Sequence, residues 1–74
     1  MATVRVEMTF PPELKDEPIV YRMVKEFEVV PKIIEASFSA SRGWAYLNLE
    51  GEEDEIERLF AYLRDVGVII DVRA

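Results

Sequence analysis

Three alternating serines, one lysine beside them and a run of carboxylates are the groups of this 74-residue chain that chemistry could recruit. Ser37, Ser39 and Ser41 have no base to activate them, because the sequence contains neither histidine nor cysteine, and Lys32 alone is no nucleophile without a shaped pocket. Glu52, Glu53, Asp54, Glu55 and Glu57 belong to the stretch Glu50 to Glu57, in which six of eight positions are acidic. Their spacing fits no EF-hand loop. Acidic residues at the start of a helix, turned to solvent and favoured by its positive end, account for them better than a cation site does. The expectation is a noncatalytic protein with no metal and no cofactor.

Composition narrows the partners as well. Nine basic against fifteen acidic residues leave a net charge of -6, which repels a phosphate backbone, so no nucleic-acid partner is expected. The absence of cysteine is compatible with a reducing compartment. The first residues, Met1 to Val6, contain no apolar run with a cleavage site, and no stretch approaches the roughly 18 apolar residues that span a bilayer. These features point to a soluble, cytoplasmic protein without membrane insertion.

The elements that would carry any site follow from periodicity. Val4, Val6, Met8 and Phe10 alternate with Arg5, Glu7 and Thr9, the pattern of a strand with one buried face, and Pro11 and Pro12 end it. After the polar loop Glu13 to Glu17, Pro18 suits the first turn of a helix, and Asp16 or Glu17 would cap it. Ile19, Val20, Met23, Val24 and Phe27 then give an apolar stripe about three turns long, with Pro31 as its stop. A second strand turns Ile34, Ala36 and Phe38 one way and Ile33, Glu35, Ser37 and Ser39 the other. The glycine-bearing loop Ala40 to Gly43 predicts a hairpin into a third strand, Trp44 to Glu50. Its buried set is Ala45, Leu47 and Leu49, leaving Trp44, Tyr46 and Asn48 on the opposite face. Gly51 precedes a second amphipathic helix carrying Ile56, Leu59, Phe60, Leu63 and Val66, and Gly67 occupies the expected left-handed C-cap. Val68, Ile70 and Val72 alternate with Ile69, Asp71 and Arg73 in a last strand.

The order βαββαβ over one domain, residues 1–74, is the ferredoxin-like α+β arrangement: a four-stranded antiparallel sheet with two helices on one face. Its usual topology puts the first and third strands in the centre. The uncovered face would then show Arg5, Glu7 and Thr9 beside Trp44, Tyr46 and Asn48, flanked by Ile33 and Ile69. Ile33, Trp44, Tyr46 and Ile69 would form an apolar patch suited to a homodimer or a partner protein. A base-stacking RNA-recognition sheet is a poor match, because its first strand would need an aromatic where Arg5, Glu7 and Thr9 stand. A small ligand would fit where the loop after the first strand, the start of the first helix and the second strand converge. Free amides near Pro18 would hold a carboxylate there, with Asp16 and Glu17 competing.

Arg5 to Phe10, Glu17 to Arg22, Ile33 to Ala36, Leu49 to Gly51, the Ile56-Leu59-Leu63 helix and Gly67-Val68 together resemble the NIL domain. That module is found at the C-terminus of methionine-importer ATPases and elsewhere as a short unit. The resemblance implies a homodimeric, amino-acid-binding regulatory domain whose site includes Lys32, Ile33, Ile34, Glu35 and Ala36. The family takes its name from an Asn-Ile-Leu triplet in the second strand. Here Lys32 stands in place of the asparagine, exchanging a donor and acceptor for donors alone and a full positive charge. A methionine-like ligand is thus joined by acidic metabolites as a candidate. Some members are joined to iron-sulfur modules of sulfur amino-acid synthesis. With no cysteine here, a cluster would sit on another chain, and the alternative reading is a protein-interaction subunit that binds no metabolite. The chain has no GxxxxGK[ST] phosphate loop and is not itself the ATPase.

Overall fold

The computed structural model describes residues 1–14, 16–39 and 41–73. Lys15, in the expected loop after the first strand, and Ala40, in the expected hairpin loop, lie outside the described residues. Strand β1 spans Ala2–Phe10 and is followed by a 3₁₀ turn at Pro12–Leu14, helix α1 at Ile19–Glu26 and strand β2 at Val29–Phe38. Strand β3 is Gly43–Gly51, helix α2 Glu53–Val66 and strand β4 Ile69–Val72. The sheet order is β2-β3-β1-β4 with every pair antiparallel, so the order and the central strands are those expected of the ferredoxin-like fold.

Alternation builds the core. Val6 and Met8 of β1 and Ala45, Leu47 and Leu49 of β3 turn beneath the helices, where they meet Ile19, Met23 and Phe27 of the first crossover and Ile56, Leu59 and Leu63 of α2. Gly67 closes α2 with φ 104°, and its N–H reaches the carbonyls of Leu63 and Arg64 at 3.1 Å each. Only a residue without Cβ enters that conformation at little cost. Val68 follows with its N–H on Leu63 at 2.8 Å and buries its side chain under the helix end.

Helix α1 departs from the sequence reading. It has eight residues rather than three full turns, Pro18 is its N-cap, and no side chain caps it, so neither Asp16 nor Glu17 plays that part. Glu17 instead pairs with Arg22 at 3.5 Å. Phe27 is already extended, and Pro31 lies within β2 opposite Leu49, so it is not the helix stop. An edge strand tolerates a proline because the missing N–H faces outward. Val20 and Val24 are consequently exposed, since so short a helix presents only Ile19 and Met23 to the core.

A clasp from α2 secures the end of α1. Glu55 accepts the Glu28 N–H at 2.8 Å and Arg58 Nε at 2.7 Å, while Arg58 Nη2 donates to the Glu26 carbonyl at 3.2 Å and its guanidinium lies 4.5 Å from the Phe27 ring centre. The Arg58 hydrogen bond, then the Glu28 amide, hold the Glu55 carboxyl below its ordinary pKa. A carboxyl with a depressed folded pKa adds stability at neutral pH, and that contribution disappears as pH falls from the ordinary 4.5 through the lower folded value. Thermal melts between neutral pH and about pH 3 should therefore show a smaller acid-induced fall in Tm for Glu55→Gln than for the parent chain. Parallel curves for the two proteins would refute the role of Glu55.

Candidate functional site

Strand β2 owes its unusual exposure to its place at the sheet edge and to one irregularity. Val29 to Ile33 pair with Gly51 to Leu47 in regular register, after which Glu35, not Ile34, stands opposite Tyr46. Ile34 is the additional residue of a β-bulge, and it resets the alternation. Ile33, opposite the buried Leu47, therefore points to the helix side of the sheet and does not join Trp44, Tyr46 and Ile69 on the open face. Lys32 and Glu35, opposite Asn48 and Tyr46, share the open face, and Ala36 pairs with Ala45. Ile33 and Ile34 are 56% and 50% exposed. Lys32 Nζ rests 3.2 Å from Glu50 Oε2. The five residues are contiguous along the rim, and the main hollows of the described surface are lined by others.

The open face is more polar than the sequence pattern suggested. Trp44 and Tyr46 are half-buried, and Ile69, opposite Thr9, stays exposed. Arg5 Nε donates to Asn48 Oδ1 at 3.2 Å with its guanidinium 6.0 Å from the Tyr46 ring centre. Arg73 bridges Glu7 at 2.9 Å and Asp71 at 3.4 Å, and the Glu7 hydrogen bond raises its pKa above the ordinary arginine value. Charged side chains thus flank Tyr46, while Trp44 stands between Thr9 and Ser37.

A cavity of about 290 Å³ lies where the end of β1, the start of α1 and the end of β2 meet, the convergence expected for a small ligand. Its walls include Phe10, Leu14, Ile19 and Phe38, with Glu17 and Arg42 also lining it. Sequence reasoning missed Phe38 and Arg42 here, having set Phe38 with Ile34 and Ala36 on one side of the second strand and Arg42 in the hairpin loop, with no site role for either. Phe38 is in fact 60% exposed and packs its ring 5.7 Å from that of Phe10. Gly43 was the available signal: a Cβ there would come within 2.4 Å of Phe38 Cδ1, so the ring lies directly on the glycine backbone.

Comparison with known proteins places this geometry. The chain is 25% identical over 71 residues to the methionine import ATP-binding protein MetN of Bacillus subtilis (strain 168), a match covering 90% of this chain and 21% of that protein. It is 27% identical over 73 residues to the protein of the same description from Halalkalibacterium halodurans, covering 93% and 22%. The chain thus spans about a fifth of the length of these relatives. The crystal structure of the C-terminal domain of an ABC transporter/ATP-binding protein from Enterococcus faecalis superposes with a TM-score of 0.80 at 29% identity, covering 93% of this chain and 81% of that one. Two de novo designed proteins, at 18% and 17% identity with TM-scores of 0.57 and 0.58, share the fold alone. The NIL domain model matches residues 4–72, nearly the whole sequence, and the chain belongs to the NIL domain family.

Proposed function

We propose that residues 1–74 form a single noncatalytic, cytoplasmic regulatory domain that binds an amino-acid-like ligand as a homodimer, at a seam between the β2 strands of two copies. The uncovered rim of β2 carries this reading. Ile33 and Ile34 are half-exposed apolar side chains on an edge strand whose outer backbone is unpaired in one chain, a combination that favours a partner strand or side-chain packing against one. Lys32 to Ala36 lie on that rim without a hollow around them, so a second copy would supply the other wall. The charged side chains beside Tyr46 favour the edge over the open face as the seam.

Family membership supports regulation rather than catalysis, and the relatives' description as methionine import proteins supports an amino acid as ligand. Lys32 supplies a cation for the ligand carboxylate, and the two isoleucines an apolar contact for its side chain. Light scattering joined to titration calorimetry with methionine, homocysteine and glutamate tests the proposal. A dimer that gives heat with at least one of them is expected; a monomeric mass at high micromolar protein would overturn it. A dimer that gives no heat at millimolar ligand would instead support a protein-interaction module binding no metabolite, a reading to which Lys32 to Ala36, lining none of the main hollows of the described surface, also conform. Lys32→Ala should weaken ligand binding about tenfold while leaving the melting curve nearly unchanged, since an exposed ion pair adds at most about 1 kcal/mol. Unchanged affinity would remove Lys32 from the site.

A further inference from the structure

The cavity at the Phe38 end of β2 lies beyond Lys32 to Ala36, and none of those five residues lines it. Two of its side chains are open to a ligand. Among the described residues Arg42, like Arg5, Lys25 and Arg64, enters no ion pair, and of these four it alone lines this cavity. The acidic residue that shares the cavity, Glu17, is held by Arg22 at 3.5 Å. Phe38 meanwhile leaves most of its surface open while packing against Phe10. The open aromatic wall is poorly served by water, and the arginine beside it offers charge-assisted donors to an anion.

Both features are built into the backbone. Ser39 N–H donates to the Arg42 carbonyl at 2.8 Å, Ser39 Oγ donates to the same oxygen at 3.2 Å, and Ser39 Oγ accepts the Arg42 N–H at 3.3 Å. These bonds tie the Arg42 backbone to Ser39 at the end of β2. The contact of Phe38 with the Gly43 backbone fixes the ring in turn. The volume of 290 Å³ sits at the lower end of the range for ligand sites, which limits the occupant to a small molecule.

We infer that this cavity is a second binding site, separate from the β2 seam, for a small carboxylate with an apolar or aromatic body: the body lies between Phe10 and Phe38 and the carboxylate pairs with Arg42. An amine would meet the arginine with like charge. A neutral molecule of the same shape would keep the apolar contact and lose the charge-assisted hydrogen bonds.

The test is an amide NMR titration of the chain with 3-phenylpropionate and its uncharged analogue 3-phenylpropan-1-ol, followed through residues of the cavity wall. Shifts clustered on Phe10, Tyr21, Phe38 and Gly43 are expected, with the alcohol binding about tenfold more weakly. Arg42→Gln, on an exposed loop, should bring the carboxylate down to the affinity of the alcohol and leave the alcohol unchanged. Equal binding of the two probes to the parent chain would overturn the inference, as would shifts confined to Lys32 to Ala36 or no saturable shifts at millimolar probe. The probe comparison needs no variant, so it decides even if a substitution disturbs the fold. Methionine heat lost in Lys32→Ala but kept in Arg42→Gln would show the two sites to be independent.

Discussion

Replacing Leu59 with alanine should remove most of the chain's stability and leave it marginally folded. Leu59 is 0% exposed, lies midway along α2, and belongs to the cluster formed with Val6, Met8, Met23, Leu49 and Leu63. Truncating such a leucine costs about 3–5 kcal/mol, the lost transfer of its methyl groups plus the cavity left behind. A domain of this size buries only about 60% of its potential surface and has a stability of roughly 5 kcal/mol, so the loss is comparable to the whole. Urea denaturation followed by circular dichroism measures it, with Glu57→Ala on the exposed side of the same helix as a control expected within about 0.5 kcal/mol of the parent. A Leu59→Ala midpoint close to that of the control would mean that α2 contributes far less to the core than its burial implies.

Ile34→Glu should convert the proposed dimer to a monomer without harming the monomer fold. The side chain is 50% exposed and occupies the bulge position, so in one chain a carboxylate there stays in water. At a seam between two β2 strands the same substitution buries a charge on each side of the two-fold, at about 2 kcal/mol or more per site. Light scattering should show the mass halved, calorimetry should lose the ligand heat, and the urea midpoint of a matched dilute sample should be preserved. Tyr46→Glu provides the contrast: on the charged open face it should leave an edge dimer intact. If Tyr46→Glu dissociates the dimer and Ile34→Glu does not, the seam lies on the open face and the proposed site moves with it.

Much of the architecture is visible in residue order because β1, β3 and α2 obey their periods without interruption. Ala45, Leu47 and Leu49 are buried as their alternation requires, and Ile56, Leu59 and Leu63 as their helical spacing requires. The reading failed where a single residue breaks the period. The bulge at Ile34 moved Ile33 to the other face, and nothing in Ile33-Ile34-Glu35 marks which residue is the extra one. Pro31 misled for a related reason: a proline after a helical stripe reads as a stop, yet on an edge strand its missing donor costs little. The exposure of Phe38 was hidden because side-chain hydrophobicity cannot tell an edge from a centre. Arg42 belongs to a loop whose conformation depends on the Ser39 turn, a contact with no periodic signature.

The alternation of β3 has an optical consequence. Gly43 lies under Phe38, whereas Trp44, the sole tryptophan, is turned to the opposite side of the sheet beside Thr9 and Ser37. Its indole emission therefore reports the polarity of the open face and is insulated by the thickness of the sheet from events at the Arg42 cavity. A blue shift on self-association marks dehydration of that face, and an unchanged spectrum marks contact elsewhere, so the chain carries its own fluorophore for telling its surfaces apart.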